Sequence, residues 1–388
     1  MLSHADVFAV VEIAARLIRA EDFFNDLIYS HYEGTYRKLM AIETTCIGAY
    51  PKPSYLRVGN WSESSQAAGD EQDARAFSYV AECIDDPELL DRATREAVQD
   101  QVSCGIDIPT DGEQRRENYI HYHCRHLEGF DFAKLTAKVH RNGAAVADLP
   151  TITGKIVPRG EHFLDTDYKM AQSCTDRPVK ITVPGPVTII DTSADAYYND
   201  ERRLAFDLAT ALNFEIRALA DSGCRHIQVD EPLFVRNIDN ALRYGIECLE
   251  RCFDGVPDAV QRTMHMCCGY PGHLDDPDYL KADPDGYVRL AKALDASCID
   301  RISIEDAHRH NDLDLLDQFL ATTIIFGSVS IASSRIETVE EISERLTSAL
   351  EHIDRGRLVV APDCGLMMLD RELAMSKLSV LCEAAQSV

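Results

Sequence analysis

At 388 residues, 45% of them hydrophobic and 27% charged, the chain can bury a sizeable core and carries no low-complexity or Gly/Ser-rich tract, which excludes a disordered or linker protein. A formal charge of -26 at pH 7 repels phosphate backbones and anionic headgroups, which argues against nucleic acid and membrane surfaces as partners. The apolar stretch 7–18 lacks a preceding basic segment and is interrupted by Glu12 and Arg16, so it reads neither as a secretory signal nor as a membrane span; thirteen cysteines at irregular spacings point to reduced thiols in a cytoplasm.

Residues 1–40 read as an N-terminal helical extension, and Met40, directly before the first strand-like run, is a candidate start site. From 41 to 388 short runs rich in β-branched residues alternate with longer amphipathic stretches, the pattern of βα units in a single domain. The runs are 44–49 (TTCIGA), 105–109 (GIDIP), 180–183 (KITV), 226–230 (HIQVD), 263–267 (TMHMC), 301–305 (RISIE), 324–331 (IIFGSVSI) and 358–361 (LVVA). Alternating pieces within 119–176 predict a hairpin inserted after the second strand, and 202–220, 290–296, 339–353 and 371–385 predict outer helices. Eight strands with helices between them predict an α/β fold, a (β/α)8 TIM barrel. The competing fold is a doubly wound open sheet, but no G-x-G-x-x-G or Walker loop follows any strand.

Polar residues that packing does not require gather where these runs end: Glu113, Asp230, Glu231, His265, Cys267, Glu305, Asp363 and Cys364. In a barrel those ends converge on one mouth, where barrel enzymes keep their sites. His265 and Cys267 form an H-x-C pair on an expected strand, where the two-residue period puts both side chains on one face. With Glu305 and Cys364 they make a set of imidazole, thiolate and carboxylate that suits Zn2+. The competing reading of the pair is a satisfied core histidine beside an ordinary buried cysteine.

The words TTCIGAYPKP (44–53), DGEQRREN (111–118), GPVTI (185–189), IQVDEP (227–232), MHMCC (264–268), ISIED (302–306) and APDCGL (361–366) occur in this order. Together they resemble the catalytic barrel of cobalamin-independent methionine synthase and its smaller single-barrel relatives. The resemblance implies zinc held by His265, Cys267, Glu305 and Cys364, and an amino-acid thiol, homocysteine, gripped by Ile47, Gly48, Glu113 and Asp230. It implies methyl transfer to that thiol, giving methionine.

The pattern also departs from the family. Its folate-stacking tryptophan aligns with Thr192 and its proton-transferring histidine with Ala332, while the serine that often follows I-G is Ala49. These changes argue against methyltetrahydrofolate and leave a methylcobalamin-bearing protein or a small methylated compound as donor. His308, as the catalytic acid, is expected to replace the missing histidine if its loop turns inward, with His310 beside it. A second metal site over His121, His123, Cys124 and His126 lacks an acidic or thiolate partner in sequence, so those residues read as structural. The competing functions are an epoxyalkane:coenzyme M transferase-like enzyme, for which Arg115 and Arg116 could meet a sulfonate, and a zinc-binding homologue without turnover.

Overall fold

The computed structural model describes residues 41–56, 86–140, 145–270, 272–276, 281–283 and 285–388, so the extension expected over 1–40 lies outside the described residues. In chain order the strands are β1 (Glu43–Thr44), β2 (Leu127–His140), β3 (Ala145–Pro158), β4 (Lys180–Pro184), β5 (Ala194–Asp195), β6 (His226–Asp230), β7 (Gln261–His265), β8 (Arg301–Ile304), β9 (Thr323–Val329) and β10 (Leu358–Pro362). Seven of them form a curled parallel sheet in the order β1-β10-β9-β8-β7-β6-β4. The other three form a second sheet in which β2 pairs antiparallel with β3 and β5 adds in parallel.

The run expected at 105–109 meets its neighbours through single parallel bridges, Thr45 with Ile108 and Thr110 with Lys180, one on each edge of the curled sheet. Its chemistry explains why no ladder forms. The Asp107 carboxylate takes the Thr44 N–H at 3.0 Å, and the Thr44 hydroxyl takes the Asp107 N–H at 3.0 Å. Pro109 has no N–H to give and offers only its carbonyl, to Lys180 N at 2.8 Å.

Strand side chains alternate between two faces. Ile181, Val183, Val229, Ile302 and Phe326 join helical residues such as Leu208, Leu346 and Leu378 in the main core. Helix Glu201–Asp221 fits this role because Leu204, Leu208, Leu212, Ile216 and Leu219 recur every three or four residues, and Asp200 caps it by accepting the Arg203 N–H at 3.1 Å. Ile47, Ile325, Val359 and Ala361 make a separate small cluster. Register then sets Asp230 beside His265, and His265 beside Ser303, on β6, β7 and β8.

Lys180, which opens β4, is 2% exposed and its ammonium nitrogen has no hydrogen-bond partner among the described residues. Burial, opposed by Cys46 and Asp230, lowers its pKa to about 7 from 10.5. The folded chain thus binds fewer protons than the unfolded one between those values, so this group makes stability rise with pH across that window and costs most at pH 7 and below. Lys180→Met is expected to stabilise the protein by roughly 1–3 kcal/mol at pH 6.5, with the gain shrinking toward pH 10. Urea denaturation at several pH values checks this; equal midpoints for both proteins at pH 6.5 would contradict it.

Candidate metal and substrate site

The structure brings three expected metal ligands together at the ends of two strands. His265 closes β7, Cys267 lies two residues beyond it and not on the strand as the sequence reading expects, and Cys364 lies two beyond β10. The ligand atoms of these three lie within 4.8 Å of one another, with His265 Nε2 3.4 Å from Cys364 Sγ. His265 Nδ1 is 3.0 Å from the Ser303 hydroxyl, an arrangement that fixes the ring and leaves Nε2 turned to the thiols.

Glu305 follows β8 and is fully buried. Its Oε2 accepts the Cys268 N–H at 3.0 Å, while Oε1 has no hydrogen-bond partner among the described residues. A buried carboxylate oxygen left in this state is costly unless something cationic meets it.

Electrostatics of the cluster run the same way. Burial, with the Lys180 charge, lowers His265 to about 3, which keeps the imidazole neutral. The Cys364 contact and burial push the Cys267 thiol well above its ordinary value. Burial and the Asp363 charge raise Glu305 to about 7. Each acid is short of positive charge, and a neutral imidazole, two thiols and an orphaned carboxylate oxygen are a donor set that suits a borderline-soft dication such as zinc.

Asp363 ties the loops that carry these ligands. Its Oδ1 accepts the N–H groups of Asp306 and Ala307 at 2.9 and 3.0 Å, and its Oδ2 accepts that of His308 at 2.7 Å. A Cβ at Gly327 would lie 2.1 Å from Asp363 Oδ1 and 2.9 Å from the Ile304 carbonyl, so only glycine admits this side chain. His308 completes the link: Nδ1 lies 2.5 Å from Asp363 Oδ2, and Nε2 accepts the Ala332 N–H at 3.0 Å. A ring held at both nitrogens, and outside the cavity lining, is not where the sequence reading expects an acid to stand. His310 is also outside that lining, with its N–H on the Asp306 carbonyl at 2.7 Å.

The expected thiol-binding residues form the adjoining wall. Glu113 has φ 55°, a left-handed conformation uncommon for a residue with a side chain, of the kind that clusters at functional positions. Its Oε1 accepts from the Thr182 hydroxyl at 2.7 Å; that hydroxyl in turn accepts from Arg116 at 2.7 Å, and Arg116 lies 3.5 Å from Glu113 itself. Asp230 accepts from the Gln228 amide at 2.7 Å, and the same amide holds the Ile47 carbonyl at 2.8 Å. At Gly48 a Cβ would stand 2.6 Å from Glu113 Oε1, so the missing side chain is what admits the carboxylate to this backbone.

A cavity of about 380 Å³ takes in Ile47, Gly48, Glu113, Asp230, His265, Cys267 and Cys364; Glu305 is fully buried and outside that lining. Thr192 lines it too, with its hydroxyl donated to the Thr188 carbonyl at 2.9 Å, whereas Ala332 does not. The histidines of 121–126 are spent on structure: His121 Nε2 meets the Thr192 carbonyl at 3.0 Å, His123 Nδ1 the Tyr119 carbonyl at 2.9 Å, and His126 stacks on Phe163. Arg115 pairs with Asp91 and Asp167 away from the cavity, while Arg116 is fully buried and bonded to Asp111.

Sequence reasoning passes over Ser303, Thr182, Gln228 and Lys52. The first three sit at alternate strand positions two residues from Glu305, Pro184 and Asp230, and that two-residue spacing is the signal that could have found them.

Residues 42–387 match the family described as cobalamin-independent synthase, catalytic domain. A methionine synthase of Saccharolobus solfataricus is 31% identical over 356 residues, covering 90% of this chain and 96% of its own, and one of Thermococcus kodakarensis is 30% identical over 353 residues, covering 90% and 94%. Among solved structures, a B12-independent methionine synthase from Shewanella sp. W3-18-1, in complex with selenomethionine, superposes with a TM-score of 0.77 at 29% identity, covering 89% of this chain and 97% of that one. A match to the family's catalytic domain over nearly all the described residues, with six of the seven ordered words contributing residues to one cavity, leads to one conclusion: this chain belongs to the cobalamin-independent methionine synthase family.

Proposed function

We propose that the chain is a zinc-dependent S-methyltransferase that converts homocysteine to methionine. The observation that carries the reading is a single cavity joining the His265, Cys267 and Cys364 cluster to two buried carboxylates, Glu113 and Asp230. The fold belonging to this reading is a (β/α)8 barrel over 41–388 in which 105–110 acts as the second strand, supported by its bridges to Thr45, directly after β1, and to Lys180 of β4.

His265, Cys267, Glu305 and Cys364 would hold the zinc. Bound there, zinc lowers the pKa of an acceptor thiol from an ordinary ~8.5 so that the sulfur is presented as a thiolate. The chain's own residues do the orienting. Glu113 and Asp230 take the ammonium by charge-assisted hydrogen bonds, and the Ile47–Gly48 backbone lies against them, so the thiol end is directed to the ligand cluster. The Shewanella relative's complex with selenomethionine, an analogue of the product, supports an amino-acid acceptor.

Thr192 offers no aromatic platform and Ala332 no acid, which supports a donor other than methyltetrahydrofolate: a methylcobalamin-bearing protein or a small methylated compound. Of the basic pair that a sulfonate acceptor would need, Arg115 faces away and Arg116 is already matched by Asp111 and Glu113, so the coenzyme M reading has the weaker support. The test is methionine formation by zinc-loaded protein given homocysteine with methylcobalamin, methyltetrahydrofolate or small methyl donors in turn. Methionine is expected with a non-folate donor; alkylation of coenzyme M in preference to homocysteine would sink the proposal.

A further inference from the structure

The word that supplies Ile47 and Gly48 continues to Lys52, which lines the same cavity. Its ammonium donates to the carbonyls of Glu113 at 2.8 Å and Gln114 at 3.0 Å, so it is fixed to the turn that carries the first substrate carboxylate. An ammonium has three N–H bonds, and these two acceptors leave one for a ligand.

Of the cavity's other cations, Arg116 is fully buried against Asp111, Glu113 and Thr182, and Arg236 is tied to the Cys268 carbonyl at 3.0 Å, whereas Lys52 is tied to the Glu113 turn itself. Ala49, beside Gly48 in the lining, has no hydroxyl to offer an anion. An amino acid whose ammonium lies at Glu113 and Asp230 brings its carboxylate with it, one carbon away. That negative charge must meet a donor or remain unpaired in a site lined by Glu113, Glu117, Asp191 and Asp230.

We propose that Lys52 is the specificity-determining residue for the acceptor's α-carboxylate, so that the cavity recognises a zwitterion: ammonium at Glu113 and Asp230, carboxylate at Lys52. The inference rests on the amino-acid acceptor of the preceding section. Burial lowers Lys52 to about 8, with the Glu113 charge opposing, so an anionic ligand also restores the full charge of this lysine.

The experiment is calorimetric titration of zinc-loaded protein with L-homocysteine and with 3-aminopropane-1-thiol, the same molecule without its carboxylate. Wild type should bind homocysteine more tightly than the aminothiol. Lys52→Met should weaken homocysteine by roughly 10- to 100-fold, the range of a charge-assisted hydrogen bond, and leave the aminothiol within about threefold. Lys52→Arg should recover part of the loss. Equal weakening of both ligands, or none, would overturn the assignment, the first outcome marking Lys52 as a brace for the 113–114 turn. Binding of neither thiol by wild-type protein at full zinc content would sink the acceptor reading and the Lys52 assignment with it; equal affinity of wild-type protein for the two thiols would sink only the latter.

Discussion

Cys364→Ser is expected to release the metal and cut kcat/KM for homocysteine methylation by at least roughly a thousandfold, about 4 kcal/mol of transition-state stabilisation. The loss should appear in metal content as well as rate, because a hydroxyl at this position is a poor ligand for a borderline-soft dication in place of a thiolate. The fold should survive. Cys364 is partly exposed and its thiol meets His265 and Cys267 inside the cluster, so the swap removes little packing. Cys174, also partly exposed, with a thiol that meets only the nearby Met170 and Ser173 among the described residues, is the control. Cys174→Ser should keep both metal and rate, and an equal fall in the two variants would point to general thiol damage.

The second large effect concerns the carboxylates. Asp230→Asn and Glu113→Gln should each lower kcat/KM by roughly 10- to 100-fold, the worth of a charge-assisted hydrogen bond to an ammonium, but they should differ in stability. Burial and the Glu113 charge raise Asp230 to about 8, so its ionised form is unfavourable in the free protein. Its folded pKa lies above the unfolded ~3.9, hence stability falls as pH rises between those values. Asp230→Asn therefore stabilises the fold, most above pH 8. Glu113→Gln instead takes one of two negative partners from the buried Arg116 and should destabilise it. Ammonium binding requires the charged carboxylate, so homocysteine affinity in wild type should fall with pH below 8 one proton more steeply than in Asp230→Asn. Paired titrations of affinity and urea midpoint against pH check both signs; parallel affinity slopes would remove Asp230 from the ammonium site.

The legible parts of the molecule were those whose signal is local. The seven runs that became sheet strands are short and rich in apolar and β-branched residues, and their ends carry the H-x-C and P-D-C-G words. The run at 105–109 looked equivalent, but its Asp107 and Pro109 replace ladder bonds with side-chain and carbonyl contacts that only the folded neighbour Thr44 reveals. Helix Pro87–Cys104 goes unassigned in the sequence reading although Asp86 caps it, Pro87 opens it and Gly105 ends it, because its low apolar content obscures the helical period. His308 shows the limit most plainly. Its place three residues after Glu305 allowed a catalytic reading, and only the fold, which brings Asp363 to one ring nitrogen and the Ala332 N–H to the other, shows a ring taken up at both.

If His265, Cys267 and Cys364, with Glu305 beside them, hold zinc, the acceptor's sulfur joins them as a further ligand. Zinc K-edge absorption of the purified protein, with and without homocysteine, tests this most directly. One zinc per chain is expected, with one added sulfur in its shell when homocysteine binds; a chain that takes up no zinc, or a shell that homocysteine leaves unchanged, would show that this is not a thiol-activating zinc centre.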